Sequence, residues 1–286
     1  MSDIPRIISG LDEIAANYDA LICDVWGVLH NGRHAFQDAV DALKRFRGEF
    51  GPVVLLSNAP RPVPVLEEQF ERFGVALDCY DAIVTSGVAT RDALAARAKS
   101  GRLAMLHIGP ERDRGVFEGL PIDCVEAGEA SVALCTGLFD DDHETPDDYV
   151  DMLADLQRRG LTMLCANPDI VVQRGGQLVY CAGAITRLYE EMGGKAVYYG
   201  KPYKPIYDAT MRTLREAAAR DVKRPLAIGD GIETDIRGAN GAMIDALFIA
   251  DGIHGEDVGE FSAPALSNLF AKSGVSARAA MRALVW

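Results

Sequence analysis

The run Leu21-Ile22-Cys23-Asp24-Val25-Trp26-Gly27-Val28 decides the fold. An apolar stretch of strand length reads as a strand buried on both faces, and such strands belong to parallel sheets covered by helices. The expected strand spans residues 21–29. A helix follows, with Ala39, Leu43 and Phe46 on its apolar face, and then a second buried strand, Pro52-Val53-Val54-Leu55-Leu56. The next helix sets Val63, Leu66, Phe70 and Phe73 at helical spacing and stops at Gly74. Further runs of strand length lie at 103–108, 131–138, 161–165, 178–181, 196–199, 225–228 and 245–249. Thr145-Pro146-Asp147-Asp148 reads as a helix start: an N-cap, a proline in the first turn and two acids favoured by the helix dipole. This alternation predicts an α/β fold with a doubly wound, mostly parallel sheet and right-handed crossovers.

Open parallel sheets bind ligands beyond the carboxyl ends of their strands. Four segments here carry chemistry just past a predicted strand: Asp24, then Ser57-Asn58, then Gly200-Lys201-Pro202, then Asp230-Gly231-Ile232-Glu233-Thr234-Asp235. A carboxylate is a competent nucleophile toward phosphorus, giving an aspartyl-phosphate. An all-oxygen set from Asp24, Asp230 and Asp235 suits Mg²⁺. Lys201 is expected to neutralise phosphate charge and hold Asp24, with Ser57 and neighbouring backbone N–H groups on the phosphate oxygens. Asn58, Arg61 and Gly27 join Ser57, Trp26 and Lys201 as candidate phosphate or substrate contacts. The gap between 57 and 201 holds about four strands of its own and fits an inserted α/β unit. The junctions are expected at 82/83 and 195/196, with Ser86-Gly87 and Gly193-Gly194 as hinge neighbourhoods.

With these motifs in this order, the chain resembles the haloacid dehalogenase (HAD) superfamily of hydrolases, in particular subclass IIA, which carries a large inserted α/β cap. The resemblance extends to Asp81-Ala82-Ile83-Val84-Thr85-Ser86, Ala166-Asn167-Pro168-Asp169 and Thr234-Asp235-Ile236-Arg237-Gly238-Ala239, and runs from about residue 20 to 255. It implies a Rossmann-like catalytic core (1–82 plus 196–286) and a substrate-selecting cap (83–195). It implies a Mg²⁺-dependent phosphatase acting on a small phosphorylated metabolite of the sugar-, nitrophenyl- or pyridoxal-phosphate kind. It also implies that the Trp26 backbone carbonyl is a metal ligand.

One position departs from the family pattern. Phosphatases of this superfamily carry an acid–base aspartate two residues after the nucleophile, and here that residue is Trp26. General acid–base catalysis contributes about 10²–10⁴-fold, and an indole cannot supply it. Three readings follow: His30 in the flap Leu29-His30-Asn31-Gly32 replaces the acid; the substrate is an acyl phosphate or another ester with a good leaving group; or the scaffold binds a phosphometabolite and turns it over slowly or not at all.

Composition bounds the partners. A net charge of −13 argues against nucleic acid and anionic membrane surfaces, which need clustered Lys and Arg. It also means that an anionic substrate needs a local cation. No apolar run approaches the ~18 residues of a membrane helix, and Met1-Ser2-Asp3-Ile4-Pro5-Arg6 does not read as a signal peptide. Six cysteines without metal-like spacing, most inside apolar runs, fit a reduced cytoplasmic protein. A homodimer is compatible with the sequence, which sets no oligomeric state.

Overall fold

A computed structural model describes residues 4–174, 177–252 and 261–286. In chain order its strands are β1 Arg6–Ile7, β2 Ala20–Asp24, β3 Val53–Ser57, β4 Ala82–Thr85, β5 Leu103–Ile108, β6 Ile122–Cys124 and β7 Val132–Cys135. They continue as β8 Thr162–Cys165, β9 Val171–Arg174, β10 Gln177–Tyr180, β11 Lys195–Tyr198, β12 Pro225–Gly229, β13 Asp245–Ile249 and β14 Ala279–Met281. The expected α/β alternation is present.

The chain divides into two compact units. The first comprises Met1–Ser57, Pro64–Val84 and Lys201–Trp286. Its seven-stranded sheet runs β1-β14-β13-β12-β2-β3-β4. β2 pairs in parallel with β12 on one side, Leu226 opposite Leu21, and with β3 on the other, Leu21 opposite Val53. From β2 the order proceeds through β3 and β4 in one direction and, from β12, through β13 and β14 in the other. The reversal between β2 and β12 is the crevice where doubly wound sheets take their ligands. Leu21, Ile22, Val54, Leu55, Leu226, Leu247 and Phe248 fill the interior, consistent with their near-continuous apolar reading. The helix Gln37–Glu49 covers the sheet with Ala39, Leu43 and Phe46 buried. The helix Val63–Phe73 buries Leu66 and Phe70. It ends as expected at Gly74 (φ +80°), where the Val75 N–H donates to the Phe70 carbonyl.

The second unit comprises Asn58–Val63 and Thr85–Gly200. Its five-stranded parallel sheet runs β11-β8-β7-β5-β6, and β9 and β10 form an antiparallel pair. Its core joins Ile108, Leu138, Tyr149, Leu153, Leu156, Met163, Ile185 and Tyr189. The helix start expected at Thr145 is a capping box in which the Thr145 N–H donates to the Asp148 carboxylate at 2.8 Å.

Several expectations shift. The division falls later in the chain than 82/83 and 195/196, because β4 belongs to the first sheet and β11 pairs with β8 from Lys195 to Tyr198. Gly193-Gly194 lies inside the second unit, ahead of β11, whereas Ser86-Gly87 lies beside the division. The strand expected over 21–29 stops at Asp24. Residues 25–30 turn instead, with the Leu29 and His30 N–H groups both donating to the Val25 carbonyl and Gly27 at φ +86°.

Candidate active site

Asp24 ends β2, and Asp230 directly follows Gly229, the last residue of β12. Adjacent parallel strands therefore deliver the two carboxylates to the switch point. Asp235 arrives on the π-helical turn Ile232–Ile236, in which the Gly231 carbonyl accepts from both the Asp235 and Ile236 N–H groups. Such turns are rare and concentrate at functional sites. One oxygen each from Asp24, Asp230 and Asp235 lies within 4.8 Å of the others, and all three residues are buried.

Lys201, only 3% exposed, ties two of them together. Its ammonium donates to Asp24 Oδ1, to Asp235 Oδ1 at 2.8 Å and to the Leu56 carbonyl at 3.4 Å. The other oxygen of Asp235 accepts from the Gly231 N–H at 3.1 Å and the Thr234 hydroxyl at 3.3 Å. Tyr207 donates its hydroxyl to the Asp235 carbonyl at 3.3 Å. Asp235 is thus held on both sides.

Glycines make room for the carboxylates. A Cβ built on Gly27 or on Gly252 would collide with Oδ2 of Asp230, and one on Gly229 with the Asp235 side chain. Gly27 is doubly constrained by its φ of +86°.

Burial pushes the Asp24 carboxyl well up, Asp235 adds to this, and Lys201 pulls it back. Burial works against the Lys201 ammonium, but Asp235 and Asp24 outweigh it and hold the group above its ordinary range. These tendencies compete for one proton. The short charge-assisted contacts of Lys201 with two carboxylates favour the ammonium–carboxylate form. Among the described residues, three buried carboxylates gather beside one ammonium, and burial makes such a concentration of negative charge costly. A hard divalent cation fits both that acidity and the all-oxygen donor set.

The remaining sequence candidates lie outside this cluster of charged side chains. His30 is 3% exposed and rings with Trp26, Phe70 and Phe73 at centroid distances of 5.4, 5.8 and 5.0 Å. Its Nδ1 accepts from the Gly32 N–H at 3.0 Å, and burial lowers its pKa to about 4. A neutral imidazole enclosed by aromatics holds the flap together. The Trp26 ring lies against the bare Cα of Gly32, where a Cβ would collide with it. The Gly27 N–H donates to the His30 carbonyl at 2.9 Å, and its missing side chain leaves room for Asp230. Ser57 ends β3, one residue past Leu56, the cross-strand partner of Asp24. Within the second unit, Asn58 donates its amide to Asp169 at 2.8 Å, and Arg61 pairs with Asp113 at 3.5 Å.

Residues that sequence reasoning missed here are Gly252 and Tyr207, while Thr234 stands in a quoted motif without a role of its own. Gly252 alone carried a signal, standing just past the apolar run that became β13.

Two family models match the chain, one described as haloacid dehalogenase-like hydrolase over residues 21–122 and one as HAD-hydrolase-like over 198–271. The solved structure of a haloacid dehalogenase-like hydrolase from Brucella suis is 40% identical, superposes with a TM-score of 0.86, and covers 98% of this chain and 100% of its own. The chain belongs to the haloacid dehalogenase-like hydrolase family. A D-glycerol 3-phosphate phosphatase of Mycobacterium tuberculosis is 26% identical over 261 residues. That match covers 85% of this chain but 66% of the relative, so this HAD-family chain spans just under two-thirds of the relative's length. A glycerol phosphate phosphatase from the same organism, solved in complex with magnesium, shares the fold at a TM-score of 0.64 and 20% identity, covering 87% of this chain and 73% of its own.

Proposed function

We propose that this hydrolase is a Mg²⁺-dependent phosphatase of small phosphorylated metabolites, with Asp24 as nucleophile. The observation that carries the reading is the buried cluster of Asp24, Asp230 and Asp235 around the Lys201 ammonium. Asp24, Asp230 and the Trp26 carbonyl would hold the cation, with Asp235 beside them; when bound, it would neutralise and align the phosphate. Asp24 then attacks phosphorus, the P–O bond to the leaving group breaks, and water later cleaves the aspartyl-phosphate. Lys201 orients Asp24 and offsets phosphate charge, and the Ser57 hydroxyl binds a phosphate oxygen. The phosphatase relatives support this reaction class, and substrate choice is assigned to the unit built from Asn58–Val63 and Thr85–Gly200.

A second reading concerns leaving groups. Trp26 offers no proton two residues after the nucleophile, and His30 is neutral near pH 7. Both favour substrates whose leaving group needs little acid help, such as aryl or acyl phosphates. Phosphate release from alkyl, aryl and acyl phosphates, with and without Mg²⁺, tests both readings. A steep fall in rate with rising leaving-group pKa supports the restriction, and a flat dependence removes it. Metal-independent turnover would overturn the cation's role. Metal-dependent phosphate binding without turnover of any member would instead mark a binding protein on this scaffold.

A further inference from the structure

Lys201 and Tyr207 stand six residues apart in the first unit (207 − 201), and both hold Asp235. Lys201 donates to the carboxylate Oδ1 at 2.8 Å. Tyr207, on the helix Lys204–Ala218, donates its hydroxyl to the backbone carbonyl of the same residue at 3.3 Å. Tyr207 is 2% exposed, and a buried hydroxyl needs such an acceptor. The bond is at the long end for a hydroxyl donor, and packing fixes the phenol as well. A Cβ on Gly238 would collide with the Tyr207 hydroxyl oxygen and with two carbons of its ring. The helix Arg237–Gly241 therefore seats the phenol on a bare Cα.

The carbonyl that Tyr207 meets belongs to the π-helical turn Ile232–Ile236. In it the Gly231 carbonyl accepts from the Asp235 N–H at 2.8 Å and from the Ile236 N–H at 3.0 Å. The first bond has α-helical spacing and the second π-helical spacing, so one acceptor serves both registers. A slip of one residue between them would swing a side chain by about 100° around the helix axis. Such a swing would take the Asp235 carboxylate from Lys201 and from the Gly231 N–H that it now accepts from at 3.1 Å. A turn of this kind needs an anchor outside itself. Tyr207 supplies one at Asp235, from the segment that also carries Lys201.

We propose that Tyr207 is a positioning residue of the metal site: its hydroxyl fixes the register of the π-helical turn, and with it the Asp235 carboxylate, in the geometry that takes up Mg²⁺. This rests on the phosphatase reading and extends it to a residue that acts through Asp235.

The test is calorimetric titration of the full chain, freed of metal by EDTA and dialysis, with Mg²⁺. Tyr207→Phe removes one oxygen and keeps the ring, whereas Gly238→Ala pushes on the ring from the other side. Each is expected to raise the Kd for Mg²⁺ by about tenfold, the usual effect of losing a group that orients a metal ligand. Tyr207→Phe is nearly isosteric and decides the matter should Gly238→Ala fail to fold. Tyr189→Phe is the control. The Tyr189 hydroxyl donates to the Leu161 carbonyl at 2.6 Å in the second unit and is equally buried, so its loss should leave the Kd for Mg²⁺ unchanged. A double-mutant cycle with Asp235→Asn separates positioning from a general loss of stability. In that background the effect of Tyr207→Phe should shrink to about twofold or less, since the group it acts through has been altered.

Wild-type Mg²⁺ affinity in Tyr207→Phe overturns the proposal. So does an effect of equal size in both backgrounds, or one shared by Tyr189→Phe. The phosphatase reading fails by a different result, p-nitrophenyl phosphate turnover that survives Asp24→Asn, and the Mg²⁺ titrations remain decisive for Tyr207 in that event. A wild type that takes up no Mg²⁺ overturns this proposal and the cation's role together.

Discussion

Gly27 and Asp230 are in close approach: a methyl group on the Gly27 Cα would overlap Oδ2 of Asp230. Residues 203 positions apart in the chain (230 − 27) are thus fitted to each other, and the flap can turn beneath the second carboxylate only because its hinge residue lacks a side chain.

Gly27→Ala should therefore do two things. The left-handed backbone at φ +86° costs a Cβ-bearing residue about 1–2 kcal/mol, lowering stability. The displaced Asp230 carboxylate should weaken Mg²⁺ binding by at least tenfold, read by calorimetric titration of the folded variant. Mg²⁺ affinity equal to wild type would show that Asp230 does not depend on this fit.

Lys201→Met removes the ammonium that Asp24 and Asp235 share within a buried group of three carboxylates. Stranding buried charge in this way costs about 3–5 kcal/mol, so denaturation in EDTA should show a loss of that order. Added Mg²⁺ should restore part of it by compensating the carboxylates. A variant as stable as wild type without metal would contradict the charge balance described here.

His30→Ala separates architecture from catalysis. Truncating an enclosed ring that contacts Trp26, Phe70 and Phe73 should cost about 2–4 kcal/mol of stability. The dependence of rate on leaving-group pKa should keep the wild-type slope, since a group titrating at about 4 donates no proton near neutrality. A steeper slope in the variant would return His30 to the acid's role.

Acid should destabilise the second unit through His107. Burial lowers its pKa to about 4, and it hydrogen-bonds Thr136 at 2.9 Å. With the unfolded value near 6.5, the unfolded chain binds the proton more readily between those limits. Stability from the neutral ring is therefore present above pH 6.5 and falls as pH drops toward 4, by on the order of 2 kcal/mol between pH 7 and pH 5. His107→Gln should flatten this part of the denaturation profile, and an unchanged profile would assign the acid sensitivity to other groups.

The sheet and the carboxylate cluster were legible in the sequence for one reason. Parallel strands buried on both faces read as unbroken apolar runs, and Asp24 and Asp230 stand directly at the ends of two of them. The flap was not legible. Val25-Trp26-Gly27-Val28-Leu29 continues the apolar run and looks like strand, and the turn depends on backbone bonds to the Val25 carbonyl that composition does not signal. His30 read as a loop histidine because its cage comes from Phe70 and Phe73, about forty residues away. The same limit hid the pairings of Asn58 with Asp169 and Arg61 with Asp113, since an amide or a guanidinium near a phosphate-binding segment looks available until its partner is placed.

The proposed reaction turns on Asp24 as nucleophile. The most direct measurement is acid-quenched peptide mass mapping after mixing the Mg²⁺-loaded protein with p-nitrophenyl phosphate, alongside turnover by Asp24→Asn. A phosphoryl group is expected on the peptide containing Asp24, with a loss of turnover of about a thousandfold or more in the variant. Turnover without label at Asp24, retained at the wild-type rate in Asp24→Asn, would contradict it.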